Sequence, residues 1–177
     1  MVMADGKCGI PYLKEVVNHH VSGQMKIAPE HTEPYILKLM GKPSQQSLKA
    51  FKDQFNKLSK DAGKEQYLTY YLIAAYPGCS NADMRKLKEY ALTNLQISPE
   101  QVQVFTPTPS TYASVMYYTE MDPFTGNKIF VEKNLHNKSY QKELITTKPA
   151  NNYRGSKPLP EKRNNIGYAK RQTKGEK

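Results

Sequence analysis

The sequence contains no tryptophan and only two cysteines, Cys8 and Cys79, in 177 residues. Two thiols cannot build a disulfide framework. They are also too few to hold a zinc ion or an iron–sulfur cluster by thiolates alone. That usage points to a reducing compartment, the cytoplasm. No stretch approaches the ~20 consecutive apolar residues of a membrane span. The first residues lack a basic segment followed by an apolar run, so they do not read as a signal peptide. Neither phosphate-binding glycine pattern, G-x-x-x-x-G-K-[ST] or G-x-G-x-x-G, occurs. No repeat of solenoid period is present.

Apolar residues are scarce too, at 38% of the chain, so a core forms only if they are concentrated. They are, before residue 118. Tyrosine is plentiful, at 13 residues, and the net charge is +10. Nine Lys or Arg against Glu161 and Glu176 lie beyond residue 147, so +7 of the +10 sits there. A basic segment attracts nucleic acid or an acidic surface. The same composition also describes a solvated, disordered terminus with no specific partner.

Apolar spacing divides the rest. Residues 1–5 read as the end of a strand running into a turn. Residues 11–20 read as a short helix with Leu13, Val16 and Val17 on one face. Residues 24–28 form a strand ended by Pro29. A short helix over 34–40 closes at Gly41. Ser44 caps a longer helix whose Leu48, Phe51, Phe55 and Leu58 make one stripe. Residues 67–75, YLTYYLIAA, read as a parallel strand buried on both faces. Pro77-Gly78 breaks it. Ser80 and Asp83 have capping-box spacing, and Met84, Leu87, Ala91 and Leu95 form the next helical face. Residues 101–105 give a last strand. After residue 118 the pattern weakens to turns at Asp122-Pro123 and Gly126-Asn127, a strand-like run over 128–131 and a helix over 137–145. Strands alternating with helices imply a parallel α/β sheet. In such sheets the chemistry lies at the carboxyl ends of strands. Three Pro-bearing strand ends therefore share one rim: residues 28–31, 75–78 and 106–109.

Each candidate on that rim has two readings. Gly78 sits at a strand-to-helix turn, where free N–H groups attract anions; a plain connecting turn fits equally. Cys79 lies near a helix N-terminus, which lowers a thiol pKa, but no base stands beside it in sequence, so it reads as inert. Glu30 and His31 suit hydroxyl binding or proton transfer, or a structural role. His19-His20 is adjacent in sequence and cannot share a helix face as metal ligands do; it reads as surface. Tyr70, Tyr71, Tyr112, Tyr117 and Tyr118 could stack bases or simply fill core and rim.

Three segments together carry a family resemblance: QMKIAPEHTEPYILKLMGKP, GKEQYLTYYLIAAYPGCSNADM and QVQVFTPTPSTYASVMYYT. They resemble the C-terminal half of YgiQ-type radical-SAM proteins over residues 2–145. Leu37 to Lys42 is similar to the L-x-x-M-x-R/K helix of the methylthiotransferase-like branch. Ile73 to Cys79 stands where that branch has I-x-G-F-P-G-E, and Thr106 to Thr111 where it has S-P-R-P-G-T. The resemblance implies a partial parallel (β/α) barrel, from a stub of strand three through strand six, over residues 1–118. A family-type extension over 119–145 and a basic disordered tail over 146–177 follow. It implies S-adenosylmethionine bound at a [4Fe-4S] cluster and cleaved to a 5′-deoxyadenosyl radical. Cofactor contacts would fall on Glu30 and His31, on Tyr76, Pro77 and Gly78, and on Phe105 and Thr106. The C-x-x-x-C-x-x-C cluster loop of the family is missing from this sequence. The expectation is thus a fragment or half protein, inactive alone, that pairs with an N-terminal half-barrel. The alternative is a binding module whose basic tail docks RNA or an acidic partner.

Overall fold

A computed structural model describes residues 2–146. The tail expected over 146–177 lies, beyond residue 146, outside the described residues. Three strands form one parallel sheet in the order β1 (Gln24–Glu30), β2 (Tyr67–Ala74) and β3 (Gln103–Val104). Helix α1 (Gly9–Glu15) widens into a π-helical turn at Val16–His20 before β1. Between β1 and β2 come α2 (Pro34–Leu39) and α3 (Gln45–Asp61). Helix α4 (Asn81–Tyr90), ending in a second π-helical turn at Ala91–Leu95, joins β2 to β3. Then follow α5 (Tyr112–Thr119) and α6 (Leu135–Thr146). The mixed α/β architecture with a parallel sheet is as the sequence implies.

Local chemistry explains most boundaries. The Ser44 side chain accepts the Ser47 N–H and starts α3. Ser80 and Asp83 form the full capping box of α4. Met84, Leu87, Ala91 and Leu95 are all buried, as their spacing predicts. Gln96, in the left-handed region, stops that helix. Two cores result. The larger joins Ile36, Leu39, Leu72, Met84, Leu87 and Met116 with Ile129 and Ile145 from the segment after α5. The smaller holds Leu13, Val17, Phe55 and Leu58.

Four expectations change. Residues Val2–Ala4 form a 3-10 turn, not a strand stub. Asp5 Oδ1 accepts the N–H groups of Lys7 and Cys8, which bends the chain straight into α1. Strand β2 is not buried on both faces along its length. Tyr67 is exposed and Thr69 to Tyr71 are half-buried, whereas Leu72 and Ala74 are fully enclosed. Helices cover one face only: Met25 and Leu68 pack on the smaller core, while Gln24, Lys26 and Ala28 point away into solvent. The third strand is shorter than 101–105, though the Phe105 N–H extends its ladder to Ala74 C=O. Residues 128–131 contribute an isolated antiparallel bridge, Met121 to Lys128, in place of a strand. Helix α5, which the sequence reading left unassigned, is capped by Thr111 on the Ser114 N–H.

Candidate functional site

Parallel pairing brings the carboxyl ends of β1 and β2 side by side. Register runs regularly from Gln24 opposite Tyr67 to Ile27 opposite Tyr70, then slips so that Glu30 faces Leu72. Pro29, with no N–H for the ladder, sits in that irregularity. The His31 N–H returns to Pro29 C=O at 2.8 Å, closing a γ-turn about Glu30, whose φ is 65°. Positive φ makes this the rarer, strained form of the turn. Ala75, the residue after β2, also has positive φ, 58°. Two non-glycine residues in the left-handed region thus end two neighbouring strands on one rim. Such strain concentrates at functional sites.

Behind the rim, His31 meets Cys79. The Nδ1 atom of His31 accepts the Glu33 N–H at 3.0 Å, which leaves the ring hydrogen on Nε2. That atom lies 3.5 Å from Cys79 Sγ. The thiol in turn points to Ser80 C=O at 3.7 Å. Both side chains are fully buried. Burial pushes the imidazole down to about 4, against a smaller opposing pull from the Asp83 carboxylate. Burial, with Asp83 adding to it, pushes the thiol up to about 12. The pair is therefore neutral at pH 7, a hydrogen-bonded imidazole and thiol. Proximity to the α4 N-terminus does not activate Cys79, because desolvation outweighs it and Asp83 already occupies that helix end. Next to His31, the Thr32 hydroxyl is buried with no hydrogen-bond partner among the described residues.

The turn after β2 is held from several sides. Gln141 of α6, fully buried, accepts the Ala75 N–H at 3.0 Å and donates to Cys79 C=O at 3.2 Å. The Cys79 N–H closes on Tyr76 C=O at 2.8 Å, and the Gly78 N–H donates to Phe130 C=O at 2.7 Å. Gly78 has φ 92°, and a Cβ there would stand 2.4 Å from Leu39 Cδ1. Only glycine fits both the backbone and the space. Tyr76 meets Phe105 edge-on at 5.2 Å, and Phe105 meets Tyr117 at 5.8 Å. Burial and the Glu30 carboxylate push the Tyr76 phenol up to about 12. Lys138, also buried, donates to the Tyr117 hydroxyl at 3.0 Å.

These contacts sort the seven expected site residues. His31, Tyr76, Pro77 and Gly78 are buried; Glu30 and Phe105 are half-buried; Thr106 is exposed. Glu30 Oε1 pairs with Lys42 at 3.1 Å, and Lys42 also donates to Ala28 C=O. A cavity of about 280 Å³ backs this corner, walled by Ile27, Pro29, His31, Leu37, Lys42 and Phe51 among others. Sequence reasoning missed Gln141 and Lys138. Their signal was weak: 138, 141 and 145 share a helical face, but only Ile145 is apolar.

Residues 100–166 match a family model described as a domain of unknown function, DUF3362. Over 151 residues the chain is 58% identical to a UPF0313 protein of Fusobacterium nucleatum, covering 85% of this chain and 27% of that one. A UPF0313 protein of Clostridium perfringens is 42% identical over 142 residues, 80% of this chain and 21% of the relative. One from Methanosarcina mazei is 43% identical over 142 residues, 80% and 22% respectively. The chain belongs to the UPF0313, or YgiQ, family. It spans roughly a quarter of the length of the UPF0313 relatives it matches.

Within this UPF0313 chain the matched C-terminal domain, DUF3362, contains Phe105, Tyr117, Lys138 and Gln141. Gln141 and Phe105 contact the turn that β2 delivers from outside the matched segment, and Tyr117 and Lys138 stand behind Phe105. The residues present do not fit an iron–sulfur cluster. Cys79 is enclosed with a neutral thiol and Cys8 is exposed beside α1. Among the described residues, no three His, Cys, Asp or Glu side chains gather where they could hold a metal ion. No described helix is long and apolar enough to cross a membrane.

Proposed function

We propose that this chain supplies S-adenosylmethionine and substrate contacts in a radical-SAM protein whose cluster loop belongs to the remainder of the longer family protein. The observation that carries the reading is the shared rim. Two adjacent parallel strands end in left-handed residues, Glu30 and Ala75, and buried contacts fix both ends. A rim held this rigidly suits the orientation of a ligand laid across strand ends. The same parallel strands are compatible with one part of a (β/α) barrel, with the solvent-facing row Gln24, Lys26 and Ala28 turned to its interior.

Glu30 is the group for a hydroxyl or ammonium. Its Oε1 pairs with Lys42 at 3.1 Å, and its side chain is about a fifth exposed. Phe105 and Thr106, both reachable from solvent, would lie beside the nucleoside. Gly78 and Pro77 would act from behind, since the Gly78 N–H is already spent on Phe130. When bound, S-adenosylmethionine and a reduced cluster supply a 5′-deoxyadenosyl radical; this chain's residues would bind and orient. Alone, the chain would not make that radical. A cytoplasmic setting and a preceding half-barrel as partner belong to the same proposal.

The test is anaerobic reconstitution with iron and sulfide, of this chain alone and of this chain joined to the preceding portion of a UPF0313 relative. The joined protein is expected to gain cluster absorbance and to cleave S-adenosylmethionine reductively; the chain alone should do neither. A cluster on the chain alone would overturn the division of labour. A joined protein with no cluster would overturn the radical-SAM reading.

A further inference from the structure

We propose that the cavity between β1 and α3 is a binding site for a short aliphatic carboxylate, with the tail inside and the head on Lys42. The inference goes beyond the cofactor reading and does not depend on it.

The cavity has a volume of about 280 Å³, at the low end of the ~300–1,000 Å³ of small-molecule pockets. Its apolar walls are Ile27 of β1, Leu37 of α2, and Leu48 and Phe51 of α3, with Val2 and Met3 from the first turn. Val2 and Phe51 lean on the smaller core, whereas Met3, Ile27, Leu37 and Leu48 belong to neither core. The space is thus a gap that the two cores leave unfilled. Leu37 is buried, and the other five side chains are only half-buried. Apolar surface facing a gap forgoes the dispersion contacts that close packing would give. Cavities lined in this way take up apolar guests.

The mouth selects the head group. Ala28, Pro43 and Ser44 are the exposed residues of the lining and mark where it opens. Lys42 stands there, with Nζ 3.2 Å from Ala28 C=O and 3.1 Å from Glu30 Oε1. An ammonium carries three donors. A ligand carboxylate would take the third, or displace Glu30 from its own. Ser44 and Ser47, whose hydroxyls lie 3.2 Å apart, add hydrogen-bonding groups beside it. Among the described residues, neither the lining nor the first turn of α3 contains a carboxylate. Glu30, at the rim, is already neutralised by Lys42 itself. An amine head would meet Lys42 as a like charge. A ligand polar along its length would leave its groups unpaired against the apolar walls.

The experiment is calorimetric titration of octanoate into the full chain, with hexanoate, acetate, octanol and octylamine for comparison. Octanoate is expected to saturate a single site with a Kd below about 1 mM. Hexanoate, shorter by two methylenes, should bind about tenfold more weakly. Acetate and octylamine should show no saturable binding. Lys42→Gln should weaken octanoate about tenfold, while octanol, with the same tail and no charge, should bind parent and variant alike. Leu48→Phe fills the space from the helix and should abolish binding of octanoate and octanol together. Ile27→Phe fills it from the strand and serves where the first variant does not fold; urea unfolding shows which variants are folded. Four results would each overturn the proposal: no saturable octanoate binding, octylamine binding as tightly as octanoate, Lys42→Gln binding octanoate like the parent, or a folded filled variant that still binds it. Self-association of the chain that Leu48→Phe abolishes would give the cavity to a second copy and would overturn it too.

Discussion

The two ends of strand β2 are alike in composition and unlike in burial. Both are aromatic and apolar. At its start, Tyr67 is 60% exposed and pairs with a strand edge that faces water. At its finish, residues 74–79 are all buried, and side chains from α2, α6 and the end of β1 converge on them. Hydrophobic sequence alone did not produce that contrast. Coverage did: α4 and α6 lie over the carboxyl end, while one face of the amino end has no helix above it. The lesson is that this strand is enclosed at its carboxyl end and open at its amino end.

Glycine substitutions should break the comparison most sharply. Gly78→Ala introduces a Cβ 2.4 Å from Leu39 in a left-handed backbone, and should cost about 4 kcal/mol by overpacking and strain together. Gly23→Ala, just before β1, meets nothing within 4 Å, and should shift stability by less than about 0.5 kcal/mol. Urea unfolding of both proteins measures the difference.

Acid should act on the buried end next. The His31 imidazole has its folded pKa lowered to about 4 from 6.5. The unfolded chain therefore binds more protons between those values. The contribution is fully present above pH 6.5, is lost as pH falls toward 4, and changes no further below that. The loss should approach about 3 kcal/mol. Unfolding free energies across that window, compared with His31→Asn, isolate the effect; a variant with the same acid sensitivity would assign it to other groups.

Gln141→Leu should come third, at about 2 to 3 kcal/mol, because the Ala75 N–H and Cys79 C=O are left unpaired in the core. It should also raise the rate at which a thiol reagent reaches Cys79 in the folded protein, which a purely global loss of stability, matched by a core variant such as Leu13→Ala, would not do to the same degree. The smallest effect belongs to the open end. Tyr67→Thr, at an exposed strand position, should change stability by less than about 0.5 kcal/mol in the same assay. A large loss there would mean that the two ends are not as different as their burial indicates.

Much of the fold was legible before any coordinates. Helical spacing placed Met84, Leu87, Ala91 and Leu95 on one face, and capping chemistry placed the starts of α3 and α4, because those signals are local and need no partner. The three strand ends were legible for the same reason: Pro and Gly punctuate them. What failed was everything that depends on a neighbour. Residues 2–4 looked like a strand because they are apolar, yet a strand requires a ladder, and Asp5 captured the backbone first. Strand β2 looked buried on both faces because sequence reports hydrophobicity and not what lies overhead.

The candidate site divides in the same way. Glu30, His31, Tyr76, Pro77, Gly78, Phe105 and Thr106 could be named from motif and position. That Cys79 has an imidazole beside it could not, since 48 residues separate the two along the chain. Nor could the state of the pair be read from a helix N-terminus, because burial reverses the expected shift. Gln141 was invisible for a simpler reason: a glutamine on a mostly polar helix looks like any surface residue until the helix docks.

By itself, then, the sequence determined the alternation of strand and helix, the caps, the Pro-Gly turn after β2 and the shortage of thiols that leaves no cluster ligand set here. Those properties follow from local backbone preference and from composition. Only the tertiary structure decided which strand end is enclosed, that His31 and Cys79 form a neutral pair, that Gln141 holds the turn, and that Tyr112, Tyr118 and Phe124 remain in water. Each of these depends on which groups are desolvated together, and desolvation is a property of packing between segments that are distant in the chain.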